Sequence, residues 1–83
     1  MAEPTRLLER MRRSKANWTA DDLGRLYTGF GFERTRGHRH DLYVHPRYPD
    51  LRATVTRSSG RLLVSYIAQA VKLVDTLLER EGQ

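Results

Sequence analysis

The sequence predicts an α+β domain in which a three-stranded antiparallel sheet has helices packed on one face. Two observations indicate this fold class. Apolar residues recur at helical spacing near both ends of the chain, whereas the central third alternates apolar and polar residues with the period of two that strands show. The 83 residues are enough for one domain with one thin core. We therefore expect the element order helix, helix, three strands, helix.

A first helix is predicted over residues 4–13. Pro4 fits the first turn of a helix, where the missing N–H of proline is not needed. Three apolar residues then share one face: Leu7, Leu8 and Met11. The sequence therefore predicts a short amphipathic helix ahead of the rest of the pattern.

A second helix is predicted over residues 20–29. Thr19 is followed three positions later by Asp22, which resembles a capping box. Trp18 precedes the cap and lies opposite Leu23, the arrangement of a hydrophobic staple. Glycines at positions 29 and 31 then supply residues that tolerate the backbone conformation at a helix end.

Three strands are predicted over residues 32–36, 40–45 and 52–57. In the second, His40, Leu42 and Val44 point to one face of the sheet, and Asp41, Tyr43 and His45 point to the other. A loop with two prolines follows this strand and stops its pairing. A turn at Ser58-Ser59-Gly60 leads into the last helix, predicted over residues 62–79 from its apolar stripe.

Composition restricts the classes of function. The net charge is +5, nearly all of the positive charge is arginine, and these arginines concentrate in the central third, which favours a polyanionic partner such as nucleic acid. The chain has no cysteine, so disulfides and thiolate metal sites are excluded. No apolar run is long enough for a membrane span, and the N-terminus lacks the apolar segment of a signal peptide. We expect a cytoplasmic protein that does not bind membranes.

The most informative segment is the predicted hairpin around the three histidines, which lie within eight positions of one another. Histidine has an unperturbed pKa of about 6.5 and both accepts and donates protons near neutrality. Arginine forks suit phosphate oxygens. The segment therefore has the groups needed to cleave a phosphodiester without a metal, and its carboxylates and histidines do not converge on a metal site. The competing interpretation is a set of solvated surface histidines, or, for His40, a histidine half-buried by a helix.

With these elements in place, the chain resembles the HicA-type toxins, the mRNA interferases of the HicAB toxin–antitoxin family. The resemblance rests on the order and spacing of three segments, each of which alone is a weak signal. The segments are Phe30-Gly31-Phe32-Glu33; His40 with Leu42-Tyr43-Val44-His45-Pro46; and Arg57-Ser58-Ser59-Gly60 with Val64 and Ile67. The resemblance covers roughly residues 18–78, and it implies that residues 1–17 form an N-terminal helical extension to a core of residues 18–80. It implies a double-stranded-RNA-binding-like fold with an extra N-terminal helix, metal-independent cleavage of mRNA without a cofactor, and a hetero-oligomer with a HicB-type antitoxin.

The resemblance also assigns one histidine as the catalytic group. The family carries Gly-Ser-His or Gly-Gly-His at the start of this strand, and here the matching triplet is His38-Arg39-His40. Counting back from Tyr43 places His40 at the catalytic position, whereas counting forward from Phe32 would make it His38. We favour His40, because the register of a strand is strongly specified where one of its faces is buried.

The predicted RNA contacts are Arg36, Arg39, His38, Tyr43 and Arg57. Arginines bind phosphate, and the ring of Tyr43 is a candidate for stacking on a base, with packing in the core as its alternative. Two other functions fit the same charge pattern. One is a non-catalytic RNA-binding module on the same fold, and the other is a protein-interaction domain that docks an acidic partner.

Overall fold

The computed structural model describes residues 3–57 and 60–82, and within these ranges the chain forms three helices and three strands. The helices are α1 (Glu3–Arg13), α2 (Ala20–Gly29) and α3 (Val64–Arg80), and the strands are β1 (Glu33–Arg36), β2 (His40–Val44) and β3 (Arg52–Thr56). The α+β class and the predicted order are confirmed. Two residues of the predicted Ser58-Ser59-Gly60 turn, Ser58 and Ser59, lie outside the described residues.

The strands form one antiparallel sheet in the order β1-β2-β3, so β2 is central and the other two strands are edges. Strand alternation is confirmed. Asp41, Tyr43 and His45 are buried on the face that the helices cover, as are Ala53 and Val55 of β3. The opposite face is open, and there the side chains of β2 are exposed or half-buried. The alternative in which a helix half-buries His40 is wrong, because the helices cover the other face.

The core includes all three helices. Leu7, Leu8 and Met11 of α1 are buried in the same cluster as the apolar residues of α2, β3 and α3. The N-terminal helix, predicted as an extension, therefore contributes a full apolar face to the common core. None of the helices in the described ranges has the length and apolar composition needed to cross a membrane.

The second helix begins as its sequence predicts. The Thr19 hydroxyl accepts a hydrogen bond from the backbone N–H of Asp22, and the Asp22 carboxylate accepts one from the backbone N–H of Thr19. Trp18 and Leu23 are both buried beside this cap. Burial of the Asp22 carboxyl acts to raise its pKa, but the hydrogen bonds from Thr19 and Arg25 outweigh it and hold the pKa below its ordinary value.

Candidate nucleic-acid interface

The hairpin between β1 and β2 presents two of the three histidines to solvent. Gly37 N–H donates to the carbonyl of His40 over 2.8 Å, so His38 and Arg39 alone form the tip of the hairpin. His38, Arg39 and His40 are all exposed. A Cβ on Gly37 would lie 2.6 Å from the His40 carbonyl oxygen. Only glycine lets the two backbones approach this closely, which explains why a glycine stands directly before the histidines.

Arg57 fixes the shape of this tip. One guanidinium nitrogen donates to the carbonyls of Gly37 and His38, at 2.6 and 2.7 Å. The backbone N–H of Arg57 donates to the carbonyl of Arg39, and its Nε lies 3.5 Å from Oδ1 of the buried Asp41. The sequence predicted Arg57 as an RNA contact. The structure adds an internal role, because one of its guanidinium nitrogens donates to two carbonyls and holds the histidine-bearing loop in place.

The predicted site residues converge on one end of the sheet but not on one face. His40 pairs with Thr56 and projects from the open face. Arg36 pairs with Asp41, whose side chain is buried on the helix-covered face, so Arg36 projects toward the helices. A ligand that contacts both His40 and Arg36 must therefore pass around the hairpin tip, where His38 and Arg39 lie.

On the helix side, a groove of about 310 Å³ separates the β1 edge from the start of α2. Its cationic lining comes from Arg34, Arg36 and Arg57, and its acidic lining from Asp21 and Asp41. Arg34 was not predicted as a site residue. The signal was present in the sequence, because Arg34 and Arg36 are two positions apart on a strand and must share a face.

The prediction that Tyr43 stacks on a base is wrong, because its side chain is only 1% exposed. Its ring stacks instead on Tyr27 in the core, with centroids 4.9 Å apart. The phenol of Tyr27 is also buried, which raises its pKa well above the ordinary value, with a smaller contribution from Tyr43. Tyr43 therefore follows the alternative interpretation, in which an aromatic residue of a strand packs in the core.

His45 lies apart from the other two histidines. It is 2% exposed, its Nδ1 accepts a hydrogen bond from the backbone N–H of Arg47, and the ring of Phe32 meets it edge-on at 5.2 Å. It is thus a packed, hydrogen-bonded residue at the end of β2. Among the described residues, no group of three or more histidine, cysteine, aspartate or glutamate side chains is arranged to hold a metal ion.

The fold and this interface define a class: a small basic α+β domain with a histidine–arginine hairpin at one end of its sheet. Comparison with known proteins adds no identity to that class. No family model, no curated protein and no solved structure matches the chain.

Proposed function

We propose that the chain is a HicA-type toxin, an endoribonuclease that cleaves mRNA with His40 as its general acid and base. The observation that carries the proposal is the hairpin tip. There His38 and Arg39 are exposed on a loop whose carbonyls are held by Arg57, and His40 is exposed beside them at the start of β2. An exposed histidine supplies the proton transfer, and a neighbouring arginine the charge stabilisation, that phosphodiester cleavage without a metal uses.

The proposed chemistry uses the RNA as its own nucleophile. His40 accepts the proton of a ribose 2′-hydroxyl while the 2′-oxygen attacks the adjacent phosphorus. The new O2′–P bond replaces the P–O5′ bond, and the leaving 5′-oxygen receives the proton from the imidazolium of His40. The products are a 2′,3′-cyclic phosphate and a 5′-hydroxyl. Arg39, exposed at the tip, would contact the charged phosphate oxygens, and Arg36 in the groove would contact a neighbouring phosphate.

The proposal includes a partner and a location. A HicB-type antitoxin would neutralise the enzyme in a hetero-oligomer, and the mRNA substrate places the activity in the cytoplasm. This part is supported by the sequence resemblance and is tested by co-purification with the product of a neighbouring antitoxin reading frame.

The deciding experiment measures RNA cleavage by the purified protein. His40→Ala should lower the rate by about 10²–10⁴-fold, the usual worth of a positioned acid–base group, with the fold and the RNA affinity retained. His38→Ala is the matched control, because it removes the neighbouring exposed histidine. A chelator should leave the wild-type rate unchanged. If His38→Ala abolishes cleavage and His40→Ala does not, the catalytic assignment moves to His38; if wild-type protein leaves RNA uncut, the enzyme proposal fails.

A second function, a non-catalytic RNA-binding module, is favoured by one observation. His40 and Arg36 project to opposite faces of the sheet, so a phosphate held in the Arg36 groove is not next to the His40 imidazole. In this case RNA binds but is not cut. Replacing Arg36 and Arg39 together should weaken the binding of all RNA sequences alike and flatten the salt dependence by about 0.7 per lost phosphate contact. Unchanged affinity and salt dependence in this double variant would remove both RNA-directed functions.

A further inference from the structure

The outer surface of α1 carries three arginines in one line. Leu7, Leu8 and Met11 turn inward and are buried, and the arginines are on the remaining surface: Arg6, Arg10 and Arg13. Their spacings of four and three residues place them on neighbouring turns of one helix face. The predicted function does not use this surface, which belongs to a different part of the molecule from the hairpin.

A series of grooves connects the α1 surface to the hairpin. The grooves along α1 share Arg10 with a groove of about 520 Å³ between α1 and α2. That groove shares Arg25 with the next one, along the α2 side of the sheet. The latter shares Arg34 with the groove that Arg36 and Arg57 line at the hairpin. Every step between neighbouring grooves thus has an arginine in common. We call this series the arginine track, with Arg6, Arg10, Arg13, Arg25, Arg34 and Arg36 as its members.

Most of the positive charge on the track is not neutralised by the protein. In the ranges 3–57 and 60–82, only Arg25 of the six forms an ion pair with a carboxylate, that of Asp22. Of the other carboxylates along the grooves, Asp41 is buried beside Arg57, and Glu9 lies 3.7 Å from Arg12. The remaining two are Glu3 and Asp21. In these ranges, five guanidinium groups of the track form no ion pair, and only two carboxylates along the grooves are likewise without one.

One member of the track is held in position by packing. The guanidinium of Arg10 lies over the ring of Trp18, 5.1 Å from its centroid. Trp18 is fixed in turn, because its indole N–H donates to the carbonyl of Ser14 over 2.8 Å. Stacking of this kind orients the planar guanidinium, and an oriented fork loses less side-chain entropy when it binds an anion.

We propose that the arginine track binds the backbone of single-stranded RNA and extends the hairpin interface to α1; this proposal rests on the RNA-directed function above. A positively charged groove that follows the phosphates is the general device for binding single strands without sequence preference. An acidic protein fits the track less well, because the centre of a protein interface is apolar or aromatic. Leu63 and Val64, the large apolar side chains that are exposed in the described ranges, line none of these grooves.

The test compares RNA length with charge removal on α1. Wild-type protein should bind an oligonucleotide of about 16 nucleotides more tightly than one of about 4, the limits of site size in OB-fold proteins that bind single strands. Arg6→Gln with Arg13→Gln removes two charges from the far end of the track and keeps good helix formers. This variant should lose about tenfold of the affinity for the long RNA, flatten its salt dependence by about 1.4, and lose most of the length advantage.

The matched control removes two exposed arginines that line none of the grooves, with Arg52→Gln and Arg61→Gln. It changes the net charge equally and should keep the length advantage. Equal losses in the two double variants would overturn the track. A length advantage that is retained in the α1 variant would also overturn the track. In that case the proposed function would stand, provided that the variant still binds the long RNA. If the α1 substitutions weaken binding of poly-glutamate but not of RNA, the surface belongs to an acidic protein and the track fails. Wild-type protein that binds no RNA of either length contradicts the proposed function itself.

Discussion

The two ends of β2 carry the same residue type in opposite environments. His40 at the hairpin end is exposed on the open face, whereas His45, just past the other end, is 2% exposed and enclosed by Phe32 and Tyr48. The two positions are five residues apart, an odd number, so a regular strand turns them to opposite faces. The comparison shows that the face of the sheet on which a histidine lies decides its environment. A histidine on the open face is a candidate catalytic residue, and one on the helix-covered face is a core residue.

The largest effect on stability is expected from His45→Ala. The substitution leaves a cavity among Phe32 and Tyr48 and removes the acceptor of the Arg47 N–H, so we expect a loss of about 2–5 kcal/mol in the free energy of unfolding. His40→Ala is the matched control and should change stability by less than about 0.5 kcal/mol, as exposed substitutions do. Denaturant unfolding measures both. Equal losses in the two variants would contradict the division between the two ends.

The buried end is also sensitive to Gly31. Its φ of +93° is one that residues with side chains rarely adopt, and a Cβ there would lie 3.3 Å from Nε2 of His45. Gly31→Ala should therefore cost about 1–3 kcal/mol. Gly60→Ala provides the control, because nothing lies within 4 Å of the Cβ it would add. In thermal unfolding, the stability of Gly60→Ala should be unchanged or higher by up to about 1 kcal/mol. If Gly31→Ala left the stability unchanged, the positive φ of Gly31 would not matter for the fold.

A smaller effect is expected at the helix start that lines the hairpin groove. Asp22→Ala removes the carboxylate of the capping box and should cost about 0.5–1.5 kcal/mol at neutral pH. The pKa of Asp22 is lowered in the folded state, so its contribution is present above the unfolded pKa of about 4 and is lost as pH falls through the folded value. The difference between wild type and variant should thus shrink in acid. Asp21→Ala, next to it and outside the cap, should not reproduce this pH dependence.

The smallest effect, with the opposite sign, is expected between the two ends. Within the described residues, the buried hydroxyl of Tyr27 has no hydrogen-bond partner. Tyr27→Phe should therefore be neutral or stabilising by up to about 1 kcal/mol. Because the folded pKa of Tyr27 is raised, wild-type protein should lose stability as pH rises above about 10, the ordinary pKa, and the variant should lose less. A clear destabilisation would mean that the hydroxyl has a partner, such as a buried water.

The sequence predicted the helices and strands closely where the controlling interactions are local. The capping box of α2 lies within four residues, and α2 begins and ends where predicted. The start of α3 was predicted at Leu62 and is observed at Val64, with Leu63 in an extended conformation before it. The cause is not local: Leu62 N–H donates to the carbonyl of Trp18, next to a β-bridge between Thr19 and Arg61 that joins the linkers before α2 and α3.

Less of the candidate site could be predicted, because it depends on which face of the sheet the helices cover. Alternation places Tyr43 opposite His40 but does not say which of the two is buried. The role of Arg57 depends on a hairpin tip about twenty residues away in the chain, and no local pattern shows where its guanidinium binds. The hairpin itself was predicted, because Gly37 separates two short predicted strands.

The charges of β1 also bear on how the protein behaves at high concentration. This strand is an edge of the sheet and all four of its residues are exposed, so its outer backbone groups are open to pairing with another copy. Such pairing would bring Arg34 and Arg36 of two molecules together, and their repulsion opposes it. Salt weakens that repulsion, with a screening length of about 8 Å at physiological ionic strength and about 3 Å at 1 M. The tendency of the protein to aggregate should therefore rise with ionic strength.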